Sequence, residues 1–262
     1  MKKLAVLFSL IFCYFSLSAY AESQTLVFAT PIEAGKTNQL KKAVLRQGKE
    51  QALLFQNLGI ATYDRWIQQL QGQDFLIHLV KGEDLVKSFE LLKGKIKQED
   101  RTARSLNQLY LETLGVDLEE KNFFAAINAL SPMLQVDMEG EEDTLIKEYC
   151  FIYPLLPQKK DVVLKMYHEA FDKWWNPQVH EIYRQRGISK QQLWIQDNGD
   201  ASFLVIYQEI TGSVREARKK YLSSKEEELS KSRAMKYSEI TGLSYEDLLP
   251  KLESLSDSEI LD

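Results

Sequence analysis

The sequence predicts an α+β protein in which one strand, helix, strand, strand, helix unit occurs twice. Three observations carry that reading. Gly59, Ile60, Trp66, Ile67, Gln68, Phe75 and Leu76 reappear 128 positions later as Gly187, Ile188, Trp194, Ile195, Gln196, Phe203 and Leu204. Average composition would give only about one or two identities over such a stretch, so one structural unit has been copied. The same order of strand-like and helix-like segments surrounds both anchors. The central strands are apolar on both of their faces, which sets how the copies must meet.

Each copy opens on a run rich in aromatic and β-branched residues that meets a proline: Thr25 to Thr30 before Pro31, and Tyr149 to Tyr153 before Pro154. A long helix follows, predicted from about Thr37 to Asn57 in the first copy. In the second, Val163, Met166, Tyr167, Ala170, Phe171 and Trp174 follow helical spacing until Pro177 kinks or restarts the helix. Gly59 and Gly187 stand where these helices end, because glycine bears the left-handed backbone of a helix terminus without strain. Two strands come next. One holds Trp66-Ile67-Gln68 or Trp194-Ile195-Gln196, and the other runs Phe75 to Val80 or Ser202 to Gln208. Gly72 and Asn198-Gly199 mark the hairpin turns between them. Helical sequence then extends from about Asp84 to Leu114 and from about Ser213 to Thr241, closing at Gly115 and Gly242. Helical tails carry Phe123, Phe124, Ile127 and Leu130 in one copy, and Tyr245, Leu248, Leu249 and Leu252 in the other.

Phe75, Ile77 and Leu79 lie on one face of their strand, with Leu76 and Val80 on the other. Phe203, Val205 and Tyr207 likewise oppose Leu204 and Ile206. Helices can cover one face of each sheet. The remaining face, for which Leu76, Val80, Leu204 and Ile206 stand as the group that must be buried, is covered most simply by the sheet of the other copy. The domain plan is a leader at 1–21, a first repeat at 22–136, an acidic linker at 137–143, and a second repeat with C-terminal helix and acidic tail at 144–262.

The leader has a basic start (Lys2, Lys3), an apolar run from Leu4 to Leu17, and Ala19 and Ala21 spaced for cleavage. It predicts export to a periplasm or to the exterior, with cleavage after Ala21 and no membrane span thereafter. Removing it changes the formal charge from −5 to −7, since Lys2 and Lys3 leave with it. An acidic chain whose lysines mostly alternate with acids predicts no nucleic-acid partner. Only Cys150 survives cleavage, so no intrachain disulfide can form, and its apolar surroundings read as core.

No catalytic, metal or nucleotide motif stands out. His168 and His180 are not spaced as a metal-binding helical pair, so no metal and no cofactor are expected. His78 sits mid-strand between Ile77 and Leu79 where the other copy has Ile206, a polar group present in one copy only. It reads either as a site residue or as a core histidine with one hydrogen bond. Trp66 with Gln68, and Trp194 with Gln196, share strand faces and either pack the layers or line a cavity, joined by Tyr153 and Tyr207. Periodicity does not say which face points inward.

The element order, the repeat and the two-faced strands resemble the ferredoxin-like fold. The pair resembles the dimeric α+β-barrel superfamily, here with both units on one chain as an intramolecular pseudo-dimer with extra helices. That superfamily includes quinone-forming monooxygenases, haem-dependent chlorite dismutases and rhamnose mutarotases. Trp174, Trp175, Pro177, Gly187 and Ile188 are similar to the mutarotase pattern, but Phe171 stands where that family has a histidine. Together with the leader, the paired units make the leading expectation an exported, cofactor-independent protein that binds a small apolar or aromatic molecule between its sheets. Two alternatives stay open: an oxygenase or isomerase using His78 with Tyr153 or Tyr207, and an interaction module whose protein partner is unknown.

Overall fold

The computed structural model describes residues 24–120, 134–137, 146–165, 183–184, 186–198, 201–211, 228–244, 252–255 and 260–261. The leader, the linker beyond Asp137, the helical stripe from Met166 to Trp174 with Pro177, His168, His180 and the helical tails before Leu252 lie outside the described residues.

The first repeat comprises β1 (Gln24–Pro31), α1 (Thr37–Asn57), β2 (Ile60–Leu70), β3 (Gln73–Gly82), α2 (Leu85–Lys97) and α3 (Arg101–Leu114). After it come β4 (Leu134–Asp137), β5 (Ile146–Leu155), β6 (Ile188–Asn198), β7 (Ala201–Thr211), α4 (Glu228–Thr241), β8 (Leu252–Ser254) and β9 (Ile260–Leu261). The helix α1 has the predicted bounds and stops where Gly59 takes a φ of 80°. The hairpin between β2 and β3 turns through Gln71 and Gly72, both with positive φ, as a two-residue turn of right-twisted strands requires.

The single helix expected over Asp84 to Leu114 is two helices. Glu99 adopts a φ of 64°, which an α-helix cannot continue through, and the Asp100 carboxylate accepts from the Thr102 and Ala103 amides to start α3 afresh. Pro154 does not stop its strand, because β5 runs on to Leu155 as an edge of its sheet, where proline's missing amide is tolerated.

Within each repeat the three strands order alike, β1-β3-β2 and β5-β7-β6, all antiparallel. Both copies even share a register shift at the same place, Ile60/Thr62 in one and Ile188/Lys190 in the other. The fourth strand of each sheet comes from the opposite part of the chain. β4, which follows the first repeat, pairs with β6, while β8, which follows the second, pairs with β2. Asp137 is thus the last residue of an exchanged strand rather than the first of a linker.

The two sheets pack face to face within the chain. Val27, Ala29, Trp66, Phe75, Ile77 and Leu79 of the first repeat join the core of the second in one continuous cluster. Phe75 meets its own copy, Phe203, edge to face with ring centroids 5.1 Å apart, as expected near a pseudo-twofold axis. Leu76 and Val80 were expected between the sheets; they face the helices instead, in a separate core with Leu40, Phe55, Phe89 and Leu106. The odd-numbered face of β3, with Phe75, Ile77 and Leu79, takes the sheet contact.

The seam is tied by a matched pair of side-chain amides. Gln68 accepts from the Ile152 amide and donates to the Ile152 carbonyl, both at 2.8 Å. Gln196 does the same to Ala29, at 2.8 and 2.7 Å. Ala29 and Ile152 occupy edge strands, whose outward backbone groups have no strand to pair with. Each glutamine therefore stands in for a missing strand and keeps buried backbone groups satisfied.

Candidate functional site

The alternation of β3 turns His78 toward the helices of the first repeat, not toward the other sheet. It is fully buried, and it pairs in register with Phe28 on β1 and Arg65 on β2. Phe28 stacks on the imidazole with centroids 4.3 Å apart and planes 11° from parallel. Nδ1 lies 2.9 Å from the Tyr63 hydroxyl, which in turn hydrogen-bonds the Tyr110 hydroxyl of α3. The Arg65 guanidinium sits 5.1 Å from the centre of the Tyr63 ring and donates to the Gln51 amide oxygen of α1 at 2.8 Å. Strand, helix and helix thus deliver one aromatic and polar cluster into an otherwise apolar layer.

The imidazole Nε2 is buried and has no hydrogen-bond partner among the described residues. Two tautomers satisfy the contact to Tyr63. One leaves an Nε2 lone pair bare, the other an Nε2 hydrogen. Burial, and then the Arg65 charge, hold the imidazole well below the usual histidine range, so it is neutral near pH 7. Burial and the adjacent Tyr110 phenol push the Tyr63 hydroxyl well above the usual tyrosine range, so it stays a donor.

The other sequence-predicted residues are elsewhere. Trp66, Gln68, Trp194, Gln196 and Tyr207 lie on the face between the sheets. Both glutamine amides are committed to the seam. The Trp194 indole nitrogen is buried and without a partner among the described residues, while the ring packs in the shared core. Tyr207 accepts from Lys81 at 2.8 Å and donates to Glu209, 2.6 Å away, with Glu148 at 3.0 Å; Lys81 and Glu148 form an ion pair across the sheets. Burial and the two carboxylates push this phenol far above the usual range, so it cannot serve as a base. Cys150 is fully buried behind it, its thiol pushed up by burial and then by the Glu148 charge. Tyr153 faces the helix of the second repeat, edge to face with Tyr237 at 6.0 Å. The structure does not bring His78 together with Tyr153 or Tyr207; its phenols are Tyr63 and Tyr110.

Sequence reasoning missed Tyr63, Arg65, Gln51 and Tyr110. Comparing the copies column by column would have found part of the cluster. The row Phe28, His78, Arg65 corresponds to Phe151, Ile206, Leu193, so two polar side chains replace two apolar ones in the same face. Gln51 and Tyr110 carried no such signal.

Among the described residues, no group of three or more His, Cys, Asp or Glu is placed to hold a metal, and no helix is long and apolar enough to cross a membrane. The molecule is a two-repeat α+β protein of two packed sheets, with a neutral histidine in one helix layer whose Nε2 has no partner among the described residues. No protein-family model and no curated protein sequence matches the chain. Two similar solved structures are a Fusobacterium nucleatum protein provisionally described as a monooxygenase and an anthrone oxidase-like protein. The first is 9% identical, covers 84% of this chain and 88% of its own, and has a TM-score of 0.44. The second is 12% identical, covers 92% and 98%, and has a TM-score of 0.43.

Proposed function

We propose that this is an exported protein that binds a small aromatic or apolar molecule carrying an acidic hydroxyl, and that it does so at His78 in the helix layer of the first repeat. The buried Nε2, without a partner among the described residues, is the observation that carries this. A polar atom desolvated without a hydrogen bond costs about 1–3 kcal/mol, and an incoming hydroxyl would remove that cost. The surroundings suit such a guest: Phe28 and Phe55 offer aromatic surface, and Arg65 offers positive charge beside any anion that forms. Export rests on the leader sequence alone.

The same groups support an enzymatic form of this reading. With Nδ1 donating to Tyr63, Nε2 accepts a hydrogen bond from the ligand's hydroxyl. Transfer of that hydroxyl's proton requires the ligand's anion, held beside Arg65, to offset the burial and charge that keep the imidazole neutral. Proton abstraction of this kind begins both isomerisation and cofactor-independent oxygenation. Between the sheets, by contrast, Gln68, Gln196 and Tyr207 already have partners on the protein, and only the Trp194 indole nitrogen lacks one among the described residues there.

The test uses 4-nitrophenol as probe, since its ionisation is visible in its absorbance. The wild-type chain is expected to bind it with a raised phenolate fraction, and His78→Ile to weaken binding at least tenfold while the fold persists. Unchanged affinity in the folded His78→Ile variant would remove the site. Native mass spectrometry of protein purified from the periplasm then identifies a co-purifying molecule.

A further inference from the structure

Charges that interleave over the chain as a whole segregate in the helices of the first repeat. The helices α1, α2 and α3 together carry ten basic side chains and three acidic ones (Glu50, Glu90 and Glu112), in a chain whose formal charge is −5. Exposed leucines accompany them. Of nine exposed large hydrophobic residues among those described, five stand on these three helices: Leu45, Leu53, Val86, Leu91 and Leu111. Single exposed apolar residues are ordinary. A cluster of them inside a basic surface is not.

The pattern is sharpest on α1. Its buried stripe, Leu40, Val44, Gln51, Leu54 and Phe55, faces the core. The opposite side presents Lys42, Leu45, Arg46, Lys49 and Leu53, all exposed and spaced i, i+3, i+4, i+7, i+11, so they form one face. Leu45 and Leu53 are 71% and 59% exposed. They lie about 12 Å apart along the axis at 1.5 Å per residue. Among the described residues, Lys42, Arg46 and Lys49 form no ion pair, and Glu50 is the one acidic residue of the helix.

We propose that this outer face, centred on α1, docks on an anionic lipid surface. Basic side chains flanking exposed leucines are the arrangement by which a helix lies in a bilayer interface: the leucines enter the acyl boundary and the cations stay with the headgroup phosphates. An acidic polypeptide would meet the charges but leave Leu45 and Leu53 without an apolar phase. The surface faces away from the sheet that carries His78, and the inference stands whether or not that site binds a ligand.

The experiment is co-sedimentation of the full mature chain with vesicles of pure phosphatidylglycerol or pure phosphatidylcholine. Binding to phosphatidylglycerol alone is expected, abolished in 0.5 M NaCl as screening sets in. Each cation near such a surface contributes roughly a fivefold factor in binding, so Lys42→Gln/Arg46→Gln/Lys49→Gln should weaken it on the order of 100-fold. Leu45→Ser/Leu53→Ser should weaken it independently of salt, with circular dichroism showing both variants folded. Failure to sediment with phosphatidylglycerol, equal sedimentation with phosphatidylcholine, or undiminished binding by the folded charge variant would overturn the proposal. So would competition by polyglutamate as effective as that by vesicles, which would point to an acidic protein partner. Should the charge variant not fold, the wild-type lipid preference and salt dependence decide.

Discussion

The helix-facing rows of the two repeats hold the same backbone and different chemistry. In the second repeat Phe151, Ile206 and Leu193 line up across three strands as an ordinary apolar row. In the first, Phe28 is followed by His78 and Arg65, both buried, with Tyr63, Tyr110 and Gln51 recruited around them. The sheet-facing rows show the opposite: Phe75 and Phe203, Trp66 and Trp194, Gln68 and Gln196 have kept one role in both copies. Duplication here kept Phe75 with Phe203 and Gln68 with Gln196 in matched roles, because these residues touch their own copies or the other half's backbone, although Tyr207 stands where the first copy has Leu79. It left the helix layers free to diverge, because among the described residues the helix-layer core of the first repeat is separate from the core of the second.

The largest test of that comparison is at the seam. Phe75→Ala and Phe203→Ala should each destabilise by about 3–5 kcal/mol in denaturant unfolding, as expected for truncating a buried phenylalanine. Near-equal losses are expected, with non-additivity in the double variant because the rings touch. A large inequality would break the symmetry claimed for this layer.

Gln68→Ala and Gln196→Ala should follow at about 1–3 kcal/mol each, because both strand-edge backbone groups at Ile152 or Ala29 lose their partners. Melting curves that left either variant unchanged would mean the amides are incidental.

Acid sharpens the other side of the comparison. The His78 imidazole is neutral when folded, while the unfolded chain takes up a proton near the ordinary histidine value of about 6.5. The unfolded state therefore binds more protons as pH falls, and stability drops below pH 6.5 with a slope approaching about 1.4 kcal/mol per pH unit. Replacing His78 with isoleucine, as in the second repeat, should remove that part of the slope. An unaltered pH profile in the variant would show that the imidazole is not the group responsible.

The smallest expected effect is that of converting the whole row. His78→Ile with Arg65→Leu and Gln51→Leu should change stability by less than about 1.5 kcal/mol, because the Arg65–Gln51 hydrogen-bonded pair leaves together and apolar groups fill the volume. The variant should nonetheless lose the nitrophenol affinity. A loss of stability as large as that at the seam would mean that His78 and Arg65 hold the fold rather than a ligand.

Much of this was legible in the sequence. The 128-residue offset gave the paired halves, and helical periodicity closed by Gly59 gave α1 its bounds. The break at Glu99 and Asp100 was not, since neither proline nor glycine marks it; a capping carboxylate after one left-handed residue does the work. The facing of β3 could not be read, because both of its sides are apolar and alternation then carries no sign. His78 was visible as an oddity against Ile206. Its partners were not, because Tyr110 and Gln51 reach it only after two helices have folded over the sheet.

The exchanged strands set the order in which the chain can finish. β2 waits for β8, so Trp66 pairs with Ser254 across nearly the whole described length, while β6 takes β4 from just before its own repeat. The second sheet can close on residues already made, but the first stays open along β2 until Leu252 to Ser254 have emerged. Pairings of such long sequence separation form slowly, since loop closure must precede any gain from them. Neither half can then be peeled away singly, and a protease or a pulling force would meet the two repeats as one object.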